Sequence, residues 1–389
     1  MKILVHSNHP EAGTGYGQQT ALLARLLKDH GHDVAISAFF GQTSWVCKWN
    51  DIVVYPGGYT PYGTDVLLRH AASHFGGNLK DGLIITLVDV WVLKAEEMKM
   101  ANVACWTPID HDPPPPMVLR FLEASGVCPV AMSRFGEKQL ADAGLAPLYA
   151  PHSIDTDLFR PIARAEARRT MDLPEDAFIV GMVAANKGYP PRKGFPEAVR
   201  AFAQLRTRHP DALLYLHTEA NGVHQGLHLP TLLSQLSLPA DSVRFAEPYR
   251  YQLGFPPEIV ANAYASMDVL LNPAYGEGFG IPIAEAQACG TPVIVTDWTS
   301  MPELVGAGWK VGGQEFWSSQ NSWWKVPNID ELDGALEDAH GLAGDQGLRG
   351  QAREFAIQYD YRRVYDDCWA PVLAELEQRM APLPLPVAA

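Results

Sequence analysis

The run Asn272-Pro-Ala-Tyr-Gly-Glu-Gly-Phe-Gly-Ile-Pro-Ile-Ala-Glu285 holds the residues best suited to chemistry. Glu277 and Glu285 stand eight positions apart, among Gly276, Gly278 and Gly280. Glycine lets a backbone approach a ligand closely. Pro282 suits the first turn of a helix, and the free N–H groups and dipole of that helix start favour a phosphate. A carboxylate repels phosphate but accepts hydrogen bonds from neutral hydroxyls, and a vicinal diol fits one carboxylate. Diphosphate and diols together describe a nucleotide-sugar. A solvated glycine-rich turn is the plainer alternative, but Gly, Pro and Glu at this density after a buried strand serve no packing need.

A second group is basic. Asn186-Lys187-Gly-Tyr-Pro-Pro-Arg192-Lys193-Gly194 follows an apolar strand, and cations ahead of a glycine and a helix suit a diphosphate. In the proline-rich stretch 107–116, His111 stands between Asp110 and Asp112. The trio reads as a general-base pair, as metal ligands, or as a capping histidine in a loop; His111 is the preferred site residue, with Asp110 behind it. Gly13-Thr14-Gly15 follows the first strand. It is not a dinucleotide fingerprint, because G-x-G-x-x-G requires glycine where Gln18 stands, and residues 37–41 offer no acid for a ribose. NAD is therefore not expected.

Loops must be carried by regular elements, and the pattern supplies them. Ile3–Val5, Val34–Ile36, Ile52–Tyr55, Leu83–Leu87, Val103–Thr107 and Pro129–Met132 read as short buried strands. Gln18–His30 repeats leucine at helical spacing and stops at Gly31, and a further helix runs from Ser133 as N-cap to Asp142. Strand, helix and strand with short connections imply a parallel sheet. Residues 150–174 read as a connection, with three prolines and a charged segment at 164–169. The pattern then restarts. Strands are predicted at Phe178–Val183, Ala212–Leu216, Val243–Phe245, Val269–Leu271 and Val293–Val295, and helices at Pro196–Arg206, Ile259–Ala265 and Ile283–Cys289. From Ile329, Leu332, Leu336, Ala339 and Leu342 form one apolar helix face, followed by helices over Gln351–Tyr359 and Val364–Arg379. Met380–Ala389 is proline-rich and reads as frayed. The fold class is α/β, with two doubly wound domains. Open α/β sheets bind ligands beyond the C-terminal ends of their strands, where the loops above fall. The aromatic stretches 39–49 and 309–324 read as core or hinge packing, with an acceptor groove as the alternative.

Composition limits the classes of function. The chain has 389 residues, enough for two domains, and is 47% hydrophobic and 19% charged, which rules out a disordered chain. A net charge of −14 argues against a nucleic-acid footprint, though not against one small basic pocket. Five cysteines with no C-x-x-C fit neither a disulfide framework nor a zinc site and suit a reducing cytoplasm. The polar turn at His6 gives no signal peptide, and the longest apolar stretch, 83–93, contains Asp89 and is far short of a membrane span. A cytoplasmic protein is expected, with peripheral membrane contact left open and the oligomeric state unread.

On these residues the chain resembles family 4 of the retaining nucleotide-sugar glycosyltransferases, which have the two-Rossmann GT-B architecture. Glu277 to Glu285 is similar to that family's E-x7-E signature, with Gly278-Phe279-Gly280 between. Arg192-Lys193-Gly194 is similar to its Lys-Gly segment, the run from Pro151 to Pro161 to its interdomain stretch, and Thr296–Leu304 to its G-x-P-E loop. Ala131-Met132-Ser133 resembles the strand end of its N-terminal domain. The resemblance runs from residue 1 to about 375. The family's G-R-L is replaced by Ala184-Ala185-Asn186, which leaves Lys187, Arg192 and Lys193 as candidate phosphate cations beside Asn186.

The resemblance implies an N-terminal acceptor-side domain over residues 1–161 and a C-terminal donor domain over 170–360, with a helix at about 364–379 packing back on the first. It implies that Glu285 holds the donor ribose, that Glu277 faces the transferred sugar, and that Arg192 and Lys193 bind the diphosphate. Backbone amides from Gly278 through Phe279 and Gly280 to Ile281 assist, His111 with Asp110 lies near the donor sugar, and Gly13, Thr14 and Gly15 lie near donor phosphate and acceptor. The implied activity is transfer of a sugar from a UDP- or GDP-linked donor to a hydroxyl acceptor, glycan, lipid or small molecule, by a front-face retaining route. The resemblance implies neither a cofactor nor a metal. Alternatives are a catalytically silent nucleotide-sugar-binding protein and a GT-B epimerase or phosphorylase, for which no acid/base pair or pyridoxal lysine is recognised.

Overall fold

A computed structural model describes residues 1–42 and 44–380. The frayed end expected after Met380 lies outside the described residues. The chain divides into two compact units. The first comprises Met1–Pro108, Pro116–His152 and the C-terminal helices from Tyr361; the second comprises Ile109–Pro115 and Ser153–Asp360.

In the first unit the strands are β1 (Lys2–Asn8), β2 (Asp33–Phe40), β3 (Cys47–Trp49), β4 (Ile52–Tyr55), β5 (Leu83–Leu87), β6 (Asn102–Thr107), β7 (Cys128–Ala131) and β8 (Leu148–Tyr149). They form one sheet in the order β3-β4-β2-β1-β5-β6-β7-β8. All neighbours are parallel except the edge pair β3 and β4. Its central strands are near-continuous apolar runs because helices cover both faces of a parallel sheet; β5, Leu-Ile-Ile-Thr-Leu, is buried at every position. The helix Ala370–Met380 belongs to this unit, where Arg379 reaches Cys128 Sγ at 3.2 Å and Trp369 meets Trp106 edge-on at 4.9 Å.

The second unit carries β9 (Ile179–Val183), β10 (Leu213–His217), β11 (Val243–Phe245), β12 (Val269–Asn272), β13 (Val293–Thr296) and β14 (Gly308–Val311). Their order is β11-β10-β9-β12-β13-β14, all parallel. The order reverses between β9 and β12, so the loops after these two strands flank the topological switch point where such sheets bind ligands. Val180, Met182, Leu214, Leu271 and Ile294 pack from the sheet against Phe202 and Leu336 of the covering helices. A separate antiparallel hairpin, β15 (Gly313–Trp317) with β16 (Trp323–Pro327), follows β14.

Four expectations are corrected. The domain boundary expected at residue 161 falls after His152, because Ile154 bridges Asp360, Thr156 donates to Asp360 at 2.6 Å and Arg353 binds the carbonyls of Thr156 and Phe159. The charged segment expected as a linker is the helix Arg164–Thr170; Arg168 is buried and pairs at 2.7 Å with buried Asp268, which also accepts the Ile179 N–H at the start of β9. Leu342, expected on the apolar face of the helix Ile329–Gly341, caps its end and is exposed. Of the aromatic stretch 309–324 expected to pack in a core or hinge, Trp309 packs against the sheet core and Trp324 is buried, whereas Phe316, Trp317 and Trp323 are exposed on the β15–β16 hairpin.

Candidate active site

The loop after β12 and the loop after β9 are tied together by a backbone hydrogen bond from Tyr275 N–H to Arg192 O at 2.7 Å. That tie brings the acidic and basic groups into one cluster. Lys193 Nζ donates to Glu277 Oε1, and Arg192 Nη1 lies 3.5 Å from Glu277 Oε2 while donating to Gly276 O at 2.9 Å. Burial pushes the Glu277 carboxyl up, but the Lys193 ammonium and the Arg192 guanidinium outweigh it and hold it below the usual range. Glu277 is therefore an ionised, buried carboxylate already matched by two cations.

Thr299 and Ser300, just after β13, fix the loop from beneath. Glu277 N–H donates to Thr299 Oγ1 at 3.1 Å, and Ser300 Oγ donates to the carbonyls of Glu277 and Phe279 at 2.7 and 2.8 Å. Gly276 runs so close to Asp110 O that an added Cβ would lie 2.1 Å from it, so this position excludes any side chain. Gly280, at φ 110°, turns the chain into the helix Ile281–Ala288. Phe279 points into the interior against Tyr359, with rings 5.5 Å apart. Gly278, Phe279, Gly280 and Ile281 thus contribute backbone at a helix start.

Asp110 and His111 join the same unit. His111 is fully buried: Nδ1 lies 2.7 Å from Asp110 Oδ1, Nε2 lies 2.8 Å from Ser318 Oγ, and the ring stacks on Trp324 at 4.7 Å. Burial pushes the Asp110 carboxyl up, while the His111 hydrogen bond and the Arg192 charge bring it below its ordinary value. An ionised Asp110 accepts from Nδ1–H, and Nε2 is paired with the Ser318 hydroxyl. Both ring nitrogens are used, so His111 is a fixed strut that orients Asp110. Among the described residues no group of three or more His, Cys, Asp or Glu side chains is placed to hold a metal ion.

Glu285 completes the acidic pair. It is buried on the helix Ile281–Ala288 and accepts from Tyr264 O–H at 2.8 Å. Asn186 is also occupied: its amide donates to Glu219 O and Leu227 O at 2.9 and 2.7 Å and accepts from Leu227 N–H at 2.8 Å. It staples the loop after β10, and no amide hydrogen is left for a ligand. Lys187 lines a cavity of about 490 Å³ together with Arg192, Lys193, His224, Gln320 and Trp324. Among the described residues its ammonium has no ion-pair partner. That volume lies within the range of small-molecule sites.

Gly13, Thr14 and Gly15 lie in the first unit, after β1. Thr14 Oγ1 accepts from Gly17 N–H at 3.0 Å and from Asn8 Nδ2 at 2.8 Å, capping the helix Gly15–Asp29. Sequence reasoning missed Ser318, Thr299, Ser300 and Tyr264. The first is 207 positions from its partner His111, so no local pattern announces it. Thr299 and Ser300 fall inside the Thr296–Leu304 loop and were within reach.

Residues 177–322 match the family model described as glycosyl transferases group 1. The D-inositol 3-phosphate glycosyltransferase of Acidothermus cellulolyticus is 34% identical over 246 residues, 59% of this chain and 48% of that protein. Its counterpart in Corynebacterium jeikeium is 31% identical over 161 residues, 41% of this chain and 37% of that protein. The chain spans about half, or less, of the length of the curated relatives it matches. Sucrose-phosphate synthase from Thermosynechococcus elongatus superposes with a TM-score of 0.76 at 19% identity, covering 97% of this chain and 100% of that one. Anabaena HepE in complex with UDP-glucose superposes at 0.70 and 17%, covering 96% and 100%. The chain therefore has the two-Rossmann GT-B fold of these structures, and the segment that carries Arg192, Lys193, Glu277 and Glu285 is similar to the group 1 glycosyl transferases.

Proposed function

We propose that this protein is a glycosyltransferase that moves a sugar from a nucleoside-diphosphate donor, UDP- or GDP-linked, to a hydroxyl acceptor with retention of configuration. The observation that carries the reading is Glu277, held by Lys193 and Arg192 at the start of the helix Ile281–Ala288. A diphosphate entering the cavity presents negative charge to the same cations and frees Glu277 to accept hydrogen bonds from sugar hydroxyls. Glu285 takes the ribose diol, exchanging or sharing its Tyr264 contact.

As the bond from the anomeric carbon to the diphosphate oxygen breaks, charge builds on the leaving group. Lys193, Arg192, Lys187 and the free amides at Gly280 and Ile281 stabilise it. No divalent cation or organic cofactor has a part in this scheme. The acceptor hydroxyl attacks the same face of the sugar, its oxygen forms the new bond, and its proton passes to the departing phosphate oxygen. Family similarity over residues 177–322 and the UDP-glucose complex of HepE support the donor class.

The test is release of UDP or GDP from a panel of sugar donors, with and without acceptor alcohols. Release that falls in Lys193→Ala and Glu277→Gln supports the reading. Binding of a nucleoside diphosphate with no release across the panel overturns it in favour of a silent binder. NMR of the product's anomeric centre tests retention, and an inverted product overturns the front-face route.

A further inference from the structure

The β15–β16 hairpin exposes two indoles that packing does not explain. Trp317 and Trp323 are cross-strand partners, 51% and 37% exposed, with rings 4.7 Å apart and near-perpendicular. Exposed contiguous aromatic surface marks a contact site. Side chains alternate along a strand, so the two faces of the hairpin differ. One carries Phe316 and Trp324, whose rings stack at 6.5 Å and continue to Tyr275 and His111. That face is built into the candidate site. The other carries Glu315, Trp317, Trp323 and Lys325, with Glu315 opposite Lys325. Lys325 Nζ lies 4.3 Å over the ring of Trp298 and donates to Asp297 O at 3.2 Å.

The outer face is also held rigid. Trp323 O accepts from Asp112 N–H at 3.2 Å, Ser322 Oγ donates to Pro113 O, and Lys325 N–H donates to Tyr275 O at 2.9 Å. A fixed pair of indoles flanked by a carboxylate and an ammonium suits a flat, uncharged, polyhydroxylated ring. The C–H face of a pyranose is apolar and weakly positive and rests on the negative face of an indole, while the flanking charges take its hydroxyls. A second copy of the chain is a poor occupant, since two half-covered indoles offer well under the roughly 300–500 Å² of two whole aromatic side chains, against roughly 800 Å² per partner in a stable dimer.

We propose that the Trp317–Trp323 face, on the side of the hairpin away from the candidate site, is a glycan-binding subsite that stacks a neutral pyranose ring. The proposal rests on the transferase reading for what the ring is doing there, but its binding step stands alone. The probe is a panel of methyl α- and β-pyranosides of glucose, galactose, mannose and N-acetylglucosamine and their disaccharides, followed by tryptophan fluorescence. At least one saturably quenches the native protein. Trp317→Ala and Trp323→Ala each weaken that affinity tenfold or more, Trp323→Phe retains most of it, and UDP or GDP affinity stays within twofold in all three. Absence of saturable quenching across the panel overturns the proposal, as does quenching unchanged in both alanine variants. Light scattering that shows a native dimer lost in Trp317→Ala assigns the face to self-association and also overturns it. Failure of the nucleotide to bind the native protein, with glycan quenching intact, removes the transferase reading and leaves the subsite.

Discussion

Each unit places a glycine-rich loop at the switch point of a parallel sheet, and the two loops are spent differently. After β1, Thr14 and Asn8 use their polarity on the start of the helix Gly15–Asp29, and no cation stands among Gly13, Thr14 and Gly15. After β12, the loop carries Glu277 and gathers Lys193, Arg192 and Asp110 around it. The difference teaches that topology supplies a position, while the charges placed there supply a chemistry.

The largest expected effect lies in the charged loop. Lys193→Ala is expected to lower kcat/KM for donor turnover by about 100- to 1,000-fold, the usual loss when one preorganised donor to a developing anion is removed. Steady-state release of nucleoside diphosphate measures it, and a change under threefold would remove Lys193 from the site.

Acid separates the units next. In the first, burial holds the His6 and His152 imidazoles down to about 4 and about 3. In the second, burial takes His217 to about 4. Unfolded histidine titrates near 6.5, so below that pH the unfolded chain binds more protons than the folded one. The stability these groups contribute is complete above about pH 6.5 and is lost as pH falls toward 4 and below, by roughly 3 kcal/mol for a group like His6. Hydrogen exchange at pH 7, 6 and 5 is expected to show the first unit loosening more. Equal protection in both units throughout would contradict this.

Glycine scanning sharpens the contrast at lower energy. Gly276→Ala drives a Cβ against Asp110 O and is expected to cost about 1–3 kcal/mol and to reduce turnover. Gly13→Ala meets nothing within 4 Å and is expected to stay within about 0.5 kcal/mol. Denaturant titration of both variants decides it; equal costs would mean the loops are equally crowded. Thr14→Ala is expected to cost about 1 kcal/mol from the lost cap, with nucleotide affinity unchanged by calorimetry.

The parts of the fold legible in the sequence are those where both faces of a strand are buried. β1, β5, β6, β12 and β13 read as apolar runs because a covered parallel sheet requires it. β8, two residues long, and the edge strand β3 carry too few buried positions to announce themselves. One face of the hairpin misled for the opposite reason: tryptophan is usually buried, and Trp317 and Trp323 are displayed. Glu277 was visible from its glycines, and Lys193 from the segment around it. Their pairing was not, since it depends on β9 and β12 lying side by side. The same holds for His111, whose partners come from a neighbour in sequence and from a hairpin far along the chain.

The division of the chain has a consequence for its synthesis. The first unit takes its last helix from beyond Tyr361, after the whole run from Ser153 to Asp360 has been made. At roughly 5–20 residues per second, a ribosome spends on the order of 10–40 s between completing β8 and supplying Trp369 to cover Trp106. For that interval the first sheet stands without its closing helix, so of these two units the one begun first is the one finished last.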